Sequence, residues 1–289
     1  MRMAMDPTLL MLAEKLARLA IQEDVGSGDV TGKTLLSADK RAWGAIKFKQ
    51  DGVLSGILWV ETVFRLLDPA VKIEYKATDG DRILAGTVIA RVESTHQALV
   101  AGERVTLNLL QHLSGIATLT GRFVDAIEGT RAMILDTRKT APGLRAFEKY
   151  AVRCGGGINH RIGLYDEAMI KENHLYLSGL TLSDAVKKLD AALPDTCLTA
   201  ESENVVEAEA AIEGRADVVL LDDFSLEDIR AVVEFRNSNR KFLKTQLEVS
   251  GGVNLENVRA YAETGIERIS VGRITHSAPA LDISMKVER

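Results

Sequence analysis

Residues 197–222 read CLTAESENVVEAEAAIEGRADVVLLD, and this stretch decides the fold. Cys197-Ala200 and Val218-Leu221 are short apolar strands, and Val205-Ile212 between them carries a helical pattern. The same rhythm runs on either side. Strands are expected at Met133-Leu135, Ala168-Ile170, Leu247-Val249 and Ile269-Val271, with helices at Leu180-Leu189, Leu226-Phe235 and Leu255-Ala262. Strands alternating with helices imply a parallel sheet, here wound as a β/α barrel.

Upstream the pattern is different. Ile46 and Phe48 alternate with Lys47 and Lys49, and Val88, Ala90 and Val92 alternate after an Asp79-Gly80 turn, as in an antiparallel or mixed sheet. Ile57-Leu67 reads as a helix between them. A second helix, Leu99-Leu113, leads out to an expected break at Ser114-Gly115. At the start, Leu9, Leu12, Leu16 and Leu19 recur at helical spacing after Asp6-Pro7, a cap and first-turn proline. That predicts a packed amphipathic helix and not a signal peptide. The expected domains are 1–114, joined by 275–289, and a barrel domain over 115–274.

Composition narrows the function. The chain has 289 residues, 46% hydrophobic and 27% charged, ordinary for a globular protein of about two domains. No apolar run approaches a membrane span. A net charge of −5 argues against nucleic acid as the main partner. Two cysteines, Cys154 and Cys197, are too few for a disulfide framework, so a reducing cytoplasm is expected.

In a parallel barrel the carboxyl ends of the strands form the rim that carries the active site. The residues just past the strands are Asp136, Lys171, Glu201, Asp222, Ser250 and Gly272. Around the first two, Asp136-His174 holds seven Lys/Arg against five acids, a cationic island in an acidic chain. Such a local excess suits a small polyanion. Arg138, Lys139, His160, Arg161 and Lys171 are the ligand-facing candidates, whereas Arg145, Lys149 and Arg153 equally fit a structural helix. Ser250-Gly251-Gly252 and Gly272, after the last two strands, suit a phosphate. Glu201 and Asp222 leave three roles open: holding Mg²⁺, accepting from sugar hydroxyls, or stabilising a cationic transition state. A salt bridge to one of the cations is the plain alternative for Glu201. Glu203 and Asp223 are expected in the loop or at the surface.

Several segments carry a family resemblance. ERVTLNLLQHLSGIAT (Glu103-Thr118), LDTRKTAPGLRAFEKYAVRCGGGINHRIGLYD (135–166), IKENH (170–174), LLDDFS (220–225), EVSGGV (248–253) and ISVGRITHSA (269–278) resemble the quinolinate phosphoribosyltransferases of NAD biosynthesis, also called carboxylating nicotinate-nucleotide pyrophosphorylases. The resemblance runs from Glu23 to beyond Ala280. It implies an α/β fold, with an N-terminal α+β open sandwich followed by an incomplete parallel β/α barrel of six or seven strands. It implies transfer of phosphoribosyl from phosphoribosyl pyrophosphate to quinolinate, releasing nicotinate mononucleotide, pyrophosphate and CO₂, with Mg²⁺ and no organic cofactor. It implies a homodimer, or a hexamer, in which Arg104 reaches the partner's site. By position Arg138, His160 and Arg161 resemble the quinolinate binders and Lys171 a residue shared by both substrates. Lys139 resembles the pyrophosphate lysine. Glu201 and Asp222 resemble the acids at the ribose and at Mg²⁺, directly or through water, and the glycine loops the 5′-phosphate cradle.

The match has departures. Thr199 stands where the family has an outermost third acid, which bears on metal contacts. Asp223 replaces a usual Asn, Ile158 lies at a variable position, and Arg273 replaces a small residue beside the phosphate loop, as either a phosphate ligand or a solvent-facing side chain. Competing readings are a sister branch with another acceptor, an aldolase with Lys171 as Schiff base, and a phosphate-ligand sensor. Against the aldolase, anionic neighbours keep Lys171 charged, whereas a Schiff-base lysine needs a lowered pKa.

Overall fold

The protein is described as a computed structural model over residues 7–288. In chain order its elements are α1 (Pro7–Val25), α2 (Val30–Leu35), β1 (Arg41–Phe48), β2 (Gly52–Val53), α3 (Leu58–Leu67), β3 (Lys72–Tyr75), β4 (Arg82–Ile83), β5 (Val88–Thr95) and α4 (His96–Ala126). There follow β6 (Met133–Leu135), α5 (Arg145–Cys154), β7 (Ala168–Ile170), α6 (Glu172–Ser178), α7 (Leu182–Ala192), β8 (Leu198–Ser202) and α8 (Val205–Glu213). The last are β9 (Val218–Asp222), α9 (Leu226–Ser238), β10 (Gln246–Ser250), α10 (Val258–Ala262), β11 (Arg268–Ser270), α11 (Arg273–His276) and β12 (Ile283–Val287). They form two compact units: 1–121 with 146–156 and 277–289, and 122–145 with 157–276.

The first unit is built on an antiparallel sheet in the order β12-β1-β5-β3. Alternation decides which face is buried: Ile46 and Phe48 are inside while Lys47 and Lys49 are exposed. The buried face of β1, Val92 of β5 and Ile283 of β12 share one apolar core with Phe64 of α3 and Leu99, Leu107 and Leu110 of α4. Most of α5 belongs here too. Phe147 lies 4.9 Å from the Trp59 ring, and the Tyr150 hydroxyl donates to Asp79 Oδ2 at 2.8 Å.

Two expectations for this unit fail. The long helix does not break at Ser114-Gly115; α4 continues to Ala126. The small residues are there for packing. Ser114 Oγ accepts from the Ser55 N–H and donates to the Ser55 carbonyl, and a Cβ on Gly115 would lie 2.2 Å from the Pro279 carbonyl oxygen. The first helix also buries a different stripe. Of the expected leucines Leu9 is inside, but the buried row runs on at i, i+4 through Ala13 and Ala17 on a helix that packs against α3, while Leu12 and Leu19 are exposed. Asp6, the expected cap, lies outside the described residues.

The second unit carries a six-stranded parallel sheet in the order β6-β11-β10-β9-β8-β7. The last strand returns to the first, so the order is cyclic with one pairing missing, between β6 and β7. This is the incomplete barrel. Val218, Val219, Leu220 and Leu221 are all buried, as strands covered on both faces require. The free edge of β6 is met by a single parallel bridge from Ile158 to Leu135, a one-residue stub of a seventh strand.

Gly115 gives a direct test of close packing against helix propensity. Ala favours a helix over Gly by about 1 kcal/mol, yet overpacking costs about 1–3 kcal/mol. We expect Gly115→Ala to be less stable than wild type in urea unfolding followed by circular dichroism; an increase in stability would refute the packing explanation.

Candidate active site

A cavity of about 250 Å³ opens at the carboxyl ends of the strands of the second unit. Its wall includes Arg138, Lys139, His160, Arg161, Lys171, Glu201, Asp222 and Ser250 of the expected set, together with Thr137, Met169, Leu220, Glu248 and Ser270. Glu201, Asp222 and Ser250 sit on the strands rather than past them, Asp222 and Ser250 as the final residues of β9 and β10. Register aligns them: Asp222 pairs with Ser250, and Leu220 one step deeper pairs with both Glu201 and Glu248.

The cations come from two loops that the fold ties down separately. After β6, Asp136 is fully buried, accepting from the His160 backbone N–H at 2.9 Å and from Asn159 Nδ2 at 2.6 Å. Arg145 holds the following turn through the Arg138 carbonyl at 3.1 Å, Thr140 Oγ1 at 2.9 Å and the Ile162 carbonyl at 3.0 Å. It is therefore structural, and the charge island divides. Arg138 and Lys139 keep their side chains free of carboxylate partners among the described residues. Lys171 donates to Glu201 Oε2, so the plain salt-bridge reading of Glu201 and its place in the cavity wall both hold. His174 accepts from the Lys171 N–H at 3.0 Å and closes the start of α6, outside the cavity.

Arg161 is 8% exposed, and its guanidinium donates to the Glu167 carbonyl at 3.2 Å. Burial, and then the neighbouring charge of Arg138, draws it below the ordinary arginine value. His160 is also buried, its Nδ1 accepting from the Arg161 N–H at 2.8 Å. Its Nε2 lies 3.2 Å from Glu248 Oε1, while Glu248 Oε2 accepts from Arg268 Nε at 2.7 Å. Burial alone would raise the Glu248 carboxyl, but the hydrogen bond with His160 and the charge of Arg268 outweigh it and hold it below its ordinary value. Reading only the residues past each strand misses Glu248. The available signal was a lone acid inside an apolar strand, two residues before Ser250 and so on the same face.

Other expected residues lie elsewhere. Asp223 is exposed with φ 55°, a left-handed conformation that Asn and Asp tolerate best, which accounts for the family's Asn here. A Cβ on Gly251 would lie 2.1 Å from Asp223 Oδ1, so that glycine is needed by its own loop. Gly251 and Gly252 do not line the cavity, nor does the exposed Arg273 at the start of α11. Gly272 stands behind Lys139, whose Cδ would be 3.1 Å from an added Cβ. Arg104 is exposed on α4, in the first unit. Thr199 donates to Glu167 Oε1 at 2.6 Å, where a third acid would set two carboxylates together. A larger cavity, about 610 Å³, lies under β7, α6 and α7 and is mostly apolar.

The family models for the quinolinate phosphoribosyl transferase N-terminal and C-terminal domains match residues 29–114 and 116–286. The chain belongs to the quinolinate phosphoribosyltransferase family. Among its relatives in this family are the probable carboxylating nicotinate-nucleotide pyrophosphorylase of Bacillus subtilis, 40% identical over 95% of this chain and 93% of that one, and its counterpart from Mycobacterium leprae, 38% identical over 93% and 94%. The solved nicotinate-nucleotide pyrophosphorylase of Francisella tularensis superposes with a TM-score of 0.91 at 34% identity, covering 100% of this chain and 99% of that one. That of Ehrlichia chaffeensis gives 0.89 at 36% identity, covering 99% and 100%.

Proposed function

We propose that this bowl binds phosphoribosyl pyrophosphate and quinolinate side by side and is where the family's reaction takes place in this chain. The enzyme transfers phosphoribosyl to quinolinate with decarboxylation, giving nicotinate mononucleotide, pyrophosphate and CO₂ in NAD biosynthesis. The observation that carries the site assignment is the pair Arg138 and Lys139, cations without carboxylate partners on the wall of a cavity. Unneutralised charge in a cleft raises the local concentration of anions, and both substrates are polyanions.

Each side chain then has a task. Arg138 and Arg161 grip the quinolinate carboxylates, for which a guanidinium provides two parallel charge-assisted bonds. Lys139 follows the pyrophosphate as a point charge, and Lys171 stands between the two substrates. As the ribose C1–O bond to pyrophosphate breaks, positive charge develops at C1, and Glu201 and Asp222 offset it. The pyridine nitrogen bonds to C1. The resulting pyridinium accepts the electron pair released as CO₂ leaves the adjacent carbon, which then takes a proton. The 5′-phosphate is assigned to Ser250 on the cavity wall and to the glycines beside it in sequence and at the next strand, Gly251, Gly252 and Gly272, whose backbone N–H groups suit a phosphate, with Arg273 exposed nearby.

Mg²⁺ suits this donor set. No cluster of three or more His, Cys, Asp or Glu able to hold a metal occurs among the described residues. Mg²⁺ is commonly held by one or two carboxylates together with substrate phosphates, which is what Glu201 and Asp222 beside a pyrophosphate offer. Bound there, it would neutralise leaving-group charge. Arg104, exposed on the first unit, is assigned to the partner's site in a homodimer. Two free cysteines fit a cytoplasmic enzyme.

Incubation with quinolinate, phosphoribosyl pyrophosphate and Mg²⁺ should release CO₂ and form nicotinate mononucleotide, with little reaction of nicotinate, which lacks the second carboxylate. Equal turnover of nicotinate would overturn the acceptor assignment. For the shared site, Arg104→Ala and Glu201→Ala should each be nearly inactive, and mixed dimers of the two should regain part of the wild-type rate. Verified mixed dimers without recovery would place Arg104 outside the site.

A further inference from the structure

Glu248 is out of place if the bowl merely collects anions. It is a fully buried carboxylate in the wall of a cavity proposed for a dianion and a polyphosphate, so its field opposes ligand binding. Burying a carboxylate also costs several kcal/mol before pairing. Arg268 offsets that at Oε2, but Oε1 is turned the other way, 3.2 Å from His160 Nε2, with both atoms closed off from solvent. The remaining ring nitrogen is engaged as well. Nδ1 accepts from the Arg161 backbone N–H at 2.8 Å, so the first proton on the ring belongs on Nε2, facing Glu248. The other charged groups facing His160 are Glu167, with Oε2 3.6 Å from Nδ1, and Asp136, which accepts from the His160 backbone N–H. A proton on Nδ1 would suit Glu167 but would oppose the Arg161 N–H.

We propose that Glu248, anchored by Arg268, is a positioning residue of the reaction: it orients the His160 ring, and through the ring and the Arg161 backbone it sets where the Arg161 guanidinium meets the acceptor's carboxylates. His160 then works within a relay from Arg268 through Glu248 to Arg161, and is not itself a hand on the substrate. The relay rests on the assignment of Arg161 to quinolinate made above. It predicts a separation of effects, because the relay ends on the group assigned to the acceptor's carboxylates, whereas Lys139 is assigned to the pyrophosphate.

The test compares Glu248→Gln, His160→Gln and the double variant with wild type, with folding checked by thermal unfolding. Glutamine keeps the size of the side chain but cannot accept from His160 and Arg268 together. Glu248→Gln should raise KM for quinolinate by about tenfold or more, as displacement of a gripping group does. KM for phosphoribosyl pyrophosphate should stay within about twofold, on the same reasoning. The double variant should be no worse than His160→Gln alone. Equal increases in both KM values, additive losses, or an unchanged Glu248→Gln enzyme would each overturn the relay. Should the variants not fold, ¹⁵N spectra of histidine-labelled wild type decide: the relay requires a His160 ring protonated at Nε2 with Nδ1 bare, and a proton on Nδ1 contradicts it. Wild-type turnover of quinolinate tests the acceptor assignment separately, since the ring's protonation does not depend on which acid is bound.

Discussion

The site depends first on what the buried Asp136 carboxylate holds. The β6 edge faces the gap in the barrel, where a seventh strand would complete the sheet. Among the described residues only Ile158 bridges to that edge. Asp136 extends that stub by binding the His160 N–H and the Asn159 amide, so the backbone after the glycine triplet is fixed at the mouth of the gap. Bonds between a carboxylate and such donors are worth about 1.5–3 kcal/mol each. Without them the backbone of His160 would lose its anchor to the end of β6. Asp136 therefore serves the site by building its wall.

Charge in the second unit is sorted by depth and by pairing. Arg268 is matched to Glu248 within the sheet, and Lys171 to Glu201 at the rim. Arg145 is consumed by backbone carbonyls and a hydroxyl. Arg138 and Lys139, neighbours on the turn that Asp136 and Arg145 define, face the cavity with no carboxylate partner among the described residues. An acidic protein can thus present cations in its bowl, because local pairing and not net charge decides which charges face the cavity.

Much of this was legible in the sequence, and the failures are informative. The six barrel strands were found to within a residue or two, because β-branched and aliphatic runs ended by polar residues have few other readings. Ser114-Gly115 misled because small residues that break a free helix also let a buried one pack against backbone at close range. The leucines of α1 misled because helical spacing gives a stripe but not which stripe is covered; Ala13 and Ala17 are inside while Leu12 and Leu19 are not. Within the site, position after a strand located Lys171, Asp222 and Ser250. It could not reach Glu248 or Thr199, whose roles depend on partners far away in sequence: Glu248 on His160 and Arg268, Thr199 on Glu167.

Calorimetric titration of quinolinate into wild-type protein and into Arg138→Gln decides whether the unmatched cations are the dianion's anchor. Loss of a charge-assisted pair of about 1.5–3 kcal/mol should weaken quinolinate binding by roughly tenfold to a hundredfold. Equal affinity in the two proteins would contradict it.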